Sequence, residues 1–307
     1  MANEIVYSGL GDLVLAETLS AEYVLLLADR NALPNHPALI YVGDLTGSGS
    51  IVAKVRELGL MGYDAMATTA EGTSVANTAL TDGSVQITIV RKSKRYERGD
   101  IARMAEPSGL ISAEMFALDA VVTGALELTD LVANLVDNFS TTTGSSGVDA
   151  SFENFLDACT ALEVAKVPPQ YMALLHPVQW GDIRKDLALA AGGAVQWAPA
   201  SQEALRVRGI GYQGQLAGVD VFTSSRVPTA NAGADRAGGM FGRGAIAWAD
   251  ARPIADLPAP FQQVIGDKIL YELSRTAAGG LTAFTSHRFL GAAEVLDAAG
   301  VTIATDA

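Results

Sequence analysis

The stretch ITIVRKSKRYERGD (87–100), followed by LISAEMFALDAVVTGALELTDLVANLVDNF (110–139), carries most of what the sequence says about its fold. Val85, Ile87 and Ile89 alternate with Gln86 and Thr88, the period of a half-buried strand. That strand runs into Arg91, Lys92, Lys94, Arg95 and Arg98, the densest basic run in the chain. The second stretch contains no proline, and Pro107 with Ser108 precedes it as a start signal. Asp119, Thr123, Glu127, Asp130, Asn134 and Asp137 fall within an arc of roughly 80° at ~100° per residue. The rest of the circumference is mostly Leu, Val, Ala, Phe and Met. A helix over about thirty residues at ~1.5 Å each would be a rod near 45 Å, too apolar to stand alone in water.

Working outward, Ile51, Ala53 and Val55 alternate in the same way and predict the other arm of a long hairpin over 50–100. Its connection, Gly59 to Gly83, contains no Lys or Arg and is too long for an ordinary turn. Residues 1–48 carry Gly9, Gly11, Pro34, Pro37, Gly43 and Gly47, so many breakers that they read as an extended arm. Within it, Ser20 to Arg30 has room for about three helical turns.

Downstream, 151–166 is expected to be a helix with Ser151 as its N-cap. Tyr171 to Leu175 reads as a strand broken by His176-Pro177, and Val178 to Leu189 as a helix. Residues 192–260 are rich in Gly, Ala and Pro, with short strands at 219–222 and 245–248. Alternation returns at 269–273, 281–284 and 300–303. The pattern is α+β.

The charge is segregated. Six basic residues lie between 91 and 103, and then none until Lys166. The acids in between include Glu106, Glu114, Asp119, Glu127, Asp130 and Asp137. A basic block beside an acidic one suits contact between copies of one chain; the plainer reading of the run is a solvated strand end. The expected inter-subunit set is Arg91, Lys92, Lys94, Arg95 and Arg98 against Glu106, Asp119, Glu127, Asp130 and Asp137, with Asp297 a further acceptor. Strand alternation places Arg91 and Arg95 on one face and Lys92, Lys94 and Arg98 on the other. Replacing Arg95 and Arg98 with Glu is then expected to block assembly and leave the monomer folded.

Over 307 residues the chain carries 34 acidic and 21 basic residues, a net charge of −13. General nucleic-acid binding needs the opposite balance. At 49% hydrophobic residues there is ample material for a core. The one cysteine, Cys159, excludes an intrachain disulfide and reads as a small buried hydrophobe. His36, His176 and His287 have no partner at metal-ligand spacing, so no metal or cofactor is expected. No run approaches ~18 apolar residues, so no membrane span is expected. Met1 to Glu4 has no basic stretch, so no signal peptide is expected and folding reads as intracellular.

Catalytic motifs are absent. Gly209, Gly211 and Gly214 match G-x-G-x-x-G but lead into a strand, VDVF, where a dinucleotide fingerprint needs a helix. His176, near Asp182 and Arg184, has no nucleophile placed beside it and reads as a structural hydrogen-bonder. No enzymatic activity is expected.

The order of elements resembles the HK97-fold major capsid proteins of tailed phages. The residues carrying the resemblance are 87–100 for the extended E-loop and 110–139 for the spine helix. VPPQYMALLHPVQWGDIRKDL (167–187), LAGVDVFTSSRVP (216–228) and GGMFGRGAIAWAD (238–250) resemble the axial domain, and 269–301 the return into the peripheral domain. The resemblance implies an N-terminal arm at 1–48, an E-loop at 49–100, and a peripheral domain with the spine helix at 101–150. An axial domain at 151–261 and peripheral return strands at 262–307 complete it. It further implies a coat protein that assembles through hexamers and pentamers into an icosahedral shell around double-stranded DNA, without sequence-specific binding. Net negative charge on such a shell avoids adhesion to the genome. The implied partners are a portal, a decoration protein and a scaffolding protein that is either separate or absent, and the virion capsid, assembled in the host cytoplasm, is the implied location. Lys54, Lys92 and Lys94 sit at the base of the E-loop, so no lysine crosslink at its tip is expected. Two alternatives remain open: an encapsulin-like shell around enzyme cargo, and a soluble enzyme with 59–84 as a lid.

Overall fold

A computed structural model of the chain describes residues 33, 36–58, 71, 74, 82–100, 113–189, 197–208, 211–257 and 261–306. The expected helix at Ser20–Arg30, nearly all of the 59–81 connection, the Pro107-Ser108 start signal and Glu106 lie outside them.

The hairpin forms as its alternation predicts. β2 (Val52–Leu58) pairs antiparallel with β3 (Asp82–Thr88), Ala53 opposite Ile87 and Val55 opposite Val85. Past Ile89 the chain continues as β4 (Val90–Gly99), which leaves the hairpin and joins a six-stranded sheet. That sheet runs β1 (Leu39–Asp44), β12 (Ile246–Ala251), β15 (Leu281–Glu294), β14 (Ile269–Thr276) and β13 (Gln262–Ile265). β4 lies along the opposite side of β15, from Val90–Leu290 to Gly99–Leu281. Among the described residues its far side meets no strand. β15 is fourteen residues long, and the alternation at 281–284 identifies only its start.

The second sheet has eight strands: β5 (Thr142–Thr143), β16 (Gly300–Asp306), β11 (Asp235–Phe241), β6 (Met172–Leu175), β9 (Val219–Thr223), β8 (Tyr212–Leu216) and β7 (Trp197–Pro199), with β10 (Thr229–Ala230) on β11. All four residues of β6 are buried. They form the near-continuous apolar run of a strand covered on both faces.

α1 (Ala113–Val136) joins the two sheets. Its 24 residues span about 36 Å. Ala117, Val121 and Ala125 of its first half pack on Ile265 and Ile269 of the six-stranded sheet. Leu128, Val132, Ala133 and Val136 of its second half belong to the main core. Phe155, Ala158, Cys159 and Leu162 of α2 (Phe152–Val164) and Trp180 and Ile183 of α3 (Pro177–Leu189) complete that core under the eight-stranded sheet. Ser151 caps α2 as expected, its hydroxyl accepting the Asn154 N–H at 3.1 Å. A fourth short helix, α4 (Gln202–Arg208), precedes β8.

Two boundaries differ from the sequence reading. A cut at 261 puts 246–251 with the axial elements and 300–306 with the peripheral ones. The hydrogen bonding does the reverse: β12 lies in the sheet with β4, β14 and β15, and β16 pairs with β11. Strand pairing over such separations depends on which edges are open when the chain returns, and local alternation does not encode that. The segment before residue 48 also differs. Residues 39–44 form β1, parallel to β12, and Ala38 and Leu39 are buried. Expected to be a free arm, 36–48 is integrated into the subunit.

Candidate assembly interface

β4 is laid down as its alternation dictates, with its even-numbered side chains facing α1. Lys94 Nζ lies 2.6 Å from Asp119 Oδ2 and donates to Thr123 Oγ1 at 3.2 Å. Tyr96 Oη donates to the same Asp119 oxygen at 2.7 Å. Burial pushes the Asp119 carboxyl up, but the Lys94 and Tyr96 hydrogen bonds outweigh it, leaving the group below its ordinary range. Burial likewise pulls Lys94 down, and Asp119 and Tyr96 together more than restore it, so the ammonium titrates above its usual value. Tyr96 continues into an aromatic stack with Phe116 and Phe284, centroids 4.9 and 4.8 Å apart. The strand is thereby clamped to the helix within one subunit.

The basic run therefore divides. Lys94 meets Asp119 of the acidic stripe inside its own chain, so that pair is an internal one. Arg98 is buried, at 6% exposure. An Arg98→Glu variant would place a carboxylate in the interior, so it does not leave the monomer intact and cannot serve as an interface probe. Arg91, Lys92 and Arg95 are exposed; Arg95 holds Glu97 of the same strand at 2.6 Å.

The acidic side divides too. Asp130 pairs with Arg226 at 3.0 Å. Burial raises its pKa, and the Arg226 charge only partly offsets that. Asp297 accepts the backbone N–H of Ser140 at 2.8 Å and that residue's hydroxyl. It ties the end of α1 to the turn before β16. Asp137 lies just past α1 and is exposed, and Glu127 is half-buried on the helix. The open set is Arg91, Lys92, Arg95 and Asp137.

On the other face of the six-stranded sheet, Ser93 Oγ and His287 Nδ1 are 2.6 Å apart, and His287 Nε2 lies 3.4 Å from Glu272 Oε2. The three residues bridge β4, β15 and β14 and fix their register. The same is true of the cluster around Asp220. His36 Nε2, Tyr212 Oη and Gln215 Nε2 donate to its carboxylate at 3.0, 3.0 and 2.9 Å, and Arg208 pairs with it. Because His36 Nδ1 accepts the Ala38 N–H, the proton sits on Nε2 and points at Asp220. This cluster fastens the segment before β1 to the eight-stranded sheet. Sequence reading missed both, since each joins residues more than a hundred positions apart.

His176 is a turn residue: its Nδ1 accepts the Val178 N–H at 3.3 Å, and burial holds its imidazole below the ordinary range. Gly211 and Gly214 lie in a β8–β9 hairpin with no helix after them. Gly214 has φ +118°, and a Cβ there would strike the Ala198 carbonyl of β7. Strand packing thus explains a glycine that superficially suggests a phosphate loop. The Cys159 thiol is buried and pushed up to about 12, mainly by desolvation, so it stays a packed thiol. Among the described residues no cluster of His, Cys, Asp or Glu could hold a metal, and no helix is long and apolar enough to cross a membrane.

Solved structures share this arrangement over nearly the whole chain. The capsid of cyanophage P-SCSP1u matches with a TM-score of 0.55 at 11% identity, covering 88% of this chain and 86% of that one. Mycobacterium phage Che8 matches with a TM-score of 0.54 at 17% identity, over 83% and 85%. The chain has the HK97-like capsid fold. The holo encapsulin complex of Synechococcus elongatus shares that fold, with a TM-score of 0.58 at 10% identity over 98% of this chain and 92% of that one. At such identities the likeness lies in the backbone path, from hairpin through spanning helix to the two sheets. No protein-family model matches the sequence, and no match was found among curated proteins.

Proposed function

We propose that the chain is a major capsid protein, a structural subunit that assembles through hexamers and pentamers into an icosahedral shell around double-stranded DNA. The observation that carries this reading is the shared fold with phage capsid subunits over more than four-fifths of both chains. The local chemistry agrees with it. The hydrogen-bonded side-chain clusters among the described residues staple strands and helices, which suits a part that must hold its shape. The far side of β4, which meets no strand among the described residues, is flanked by Arg91, Lys92 and Arg95, a surface suited to a neighbour and protected by charge from indiscriminate pairing. In this reading the eight-stranded sheet lies toward the five- and six-fold axes. A scaffolding protein, a portal and a decoration protein are its partners, and the virion is its location.

A shell around protein cargo is the second reading, favoured by the encapsulin match over 98% of this chain. Purifying the expressed chain and imaging it by negative stain, with nucleic acid assayed inside nuclease-treated particles from infected or induced cells, separates the two. DNA-filled closed shells support the capsid reading. Shells holding a protein and no DNA support the compartment. A monomer or small oligomer at all concentrations contradicts both.

A further inference from the structure

Between β15 and the middle of α1 lies a cavity of about 30 Å³, lined by Lys92, Lys94, Thr123, Glu127 and Arg288 among others. Arg288 is the unusual member. It is 3% exposed, and Nε, Nη1 and Nη2 all lack a hydrogen-bond partner among the described residues. Buried guanidinium groups are ordinarily paired, because an unmatched one loses its hydration without compensation. Burial holds its pKa down at about 10, against the opposing pull of Asp250 and Glu127. Neither acid is its partner. Asp250 accepts from Tyr41 at 2.7 Å and faces Lys268 at 3.4 Å. Glu127 lines the cavity but forms no ion pair with Arg288 among the described residues. Nor can α1 rotate in to fill the gap: a Cβ on Gly124 would already stand 2.6 Å from Ile269 Cδ1.

We propose that this cavity is a carboxylate-binding site, filled by an acidic side chain of a second copy of the chain when subunits pack. The proposal rests on the shell reading for the presence of that second copy. Three observations select the occupant. The cavity can hold a water or two, which is the size of one carboxylate. Lys92 lies directly across from Arg288 in the β4–β15 register, so two cations that form no ion pair among the described residues converge on it, and a guanidinium fork suits bidentate carboxylate. It lies beside β4, whose far side meets no strand among the described residues, on a chain whose acids outnumber its bases by 34 to 21, so a neighbouring copy brings carboxylates in excess.

The test is Arg288→Met, which keeps the aliphatic stem and removes the charge, beside Arg288→Lys, which keeps the charge and removes the fork. If Arg288 awaits a partner, the isolated subunit is relieved of an unmatched cation, and the Met variant should melt about 2–8 °C above wild type. The same variant should raise the threshold concentration for shell assembly, followed by light scattering, by about tenfold or more. Arg288→Lys should fall between the two in assembly. Acetate and inorganic phosphate, against chloride at equal ionic strength, should raise the wild-type subunit's melting temperature and leave the Met variant's unmoved.

A Met variant that melts below wild type would make Arg288 an internally satisfied residue and overturn the proposal. Stabilisation by phosphate with an unchanged assembly threshold would assign the site to a free oxyanion and overturn the docking. Wild-type shells with an unmoved variant threshold defeat this inference alone. Wild type that never forms shells defeats the shell reading, and this inference with it.

Discussion

Asp220→Ala should destabilise the isolated subunit by about 2–4 kcal/mol, the cost of leaving buried hydrogen-bond donors without their acceptor. Asp220 is 8% exposed and takes hydrogen bonds from His36, Tyr212 and Gln215 as well as pairing with Arg208. Truncation strands the buried His36 and Tyr212 donors, whereas Gln215, which is exposed, and Arg208, whose side chain is 38% exposed, can turn to water. Asp220→Asn keeps an acceptor oxygen and the shape, so it should cost less, about 1–3 kcal/mol. Burial raises the carboxyl's pKa, yet the hydrogen bonds win and hold it well below the ordinary range. Its folded pKa is thus lower than its unfolded one. The stabilisation is present above about pH 4 and fades as pH falls through the folded value. Urea unfolding, followed by fluorescence of Trp180, Trp197 and Trp248, should show the full gap between wild type and Asp220→Asn at neutral pH. The gap should narrow below about pH 4. The Ala38 amide, which donates to His36, should also exchange faster in the Ala variant. A loss under about 1 kcal/mol for Asp220→Ala, or a gap that does not narrow in acid, would refute the reasoning.

Arg91→Glu with Arg95→Glu should leave the subunit's unfolding free energy in urea within about 1 kcal/mol of wild type, because both side chains are exposed and the Arg95–Glu97 pair is a surface one. The same pair should abolish or retard shell formation, and normal particles on electron microscopy would return these residues to the status of a solvated strand end. Leu128→Ala, at a fully buried position of the main core, should cost about 2–5 kcal/mol in the same urea assay. Asp119→Asn removes an ion pair with Lys94 that is 38% exposed on both sides, so its loss should be at most about 1 kcal/mol and shrink further in high salt.

How far the sequence reaches can be judged element by element. The hairpin, α1 and the Ser151 cap are written in local periodicity and in one side-chain-to-backbone hydrogen bond, so they are legible in the residues alone. β1 is not, because Gly43 and the neighbouring prolines look like breakers. The strand survives by taking a bulge between Tyr41 and Gly43 and pairing parallel to β12. The exchange of β12 and β16 between the sheets is likewise a long-range matter. At the interface, alternation correctly puts Lys94 and Arg98 on one face of β4. It cannot say that α1 of the same chain would cover that face, and so it made an internal clamp look like an external contact. Arg288 left a faint signal: a cation in the apolar run of SHRFLGAA (286–293). Only packing shows that nothing in its own described surroundings receives it.

The account stands or falls on assembly. Cryo-electron microscopy of the purified, concentrated chain is predicted to show closed shells built from five- and six-fold capsomers, with α1 continuous through each subunit and the β4 edge against a neighbour. A stable monomer with that edge open to solvent under the same conditions would contradict it.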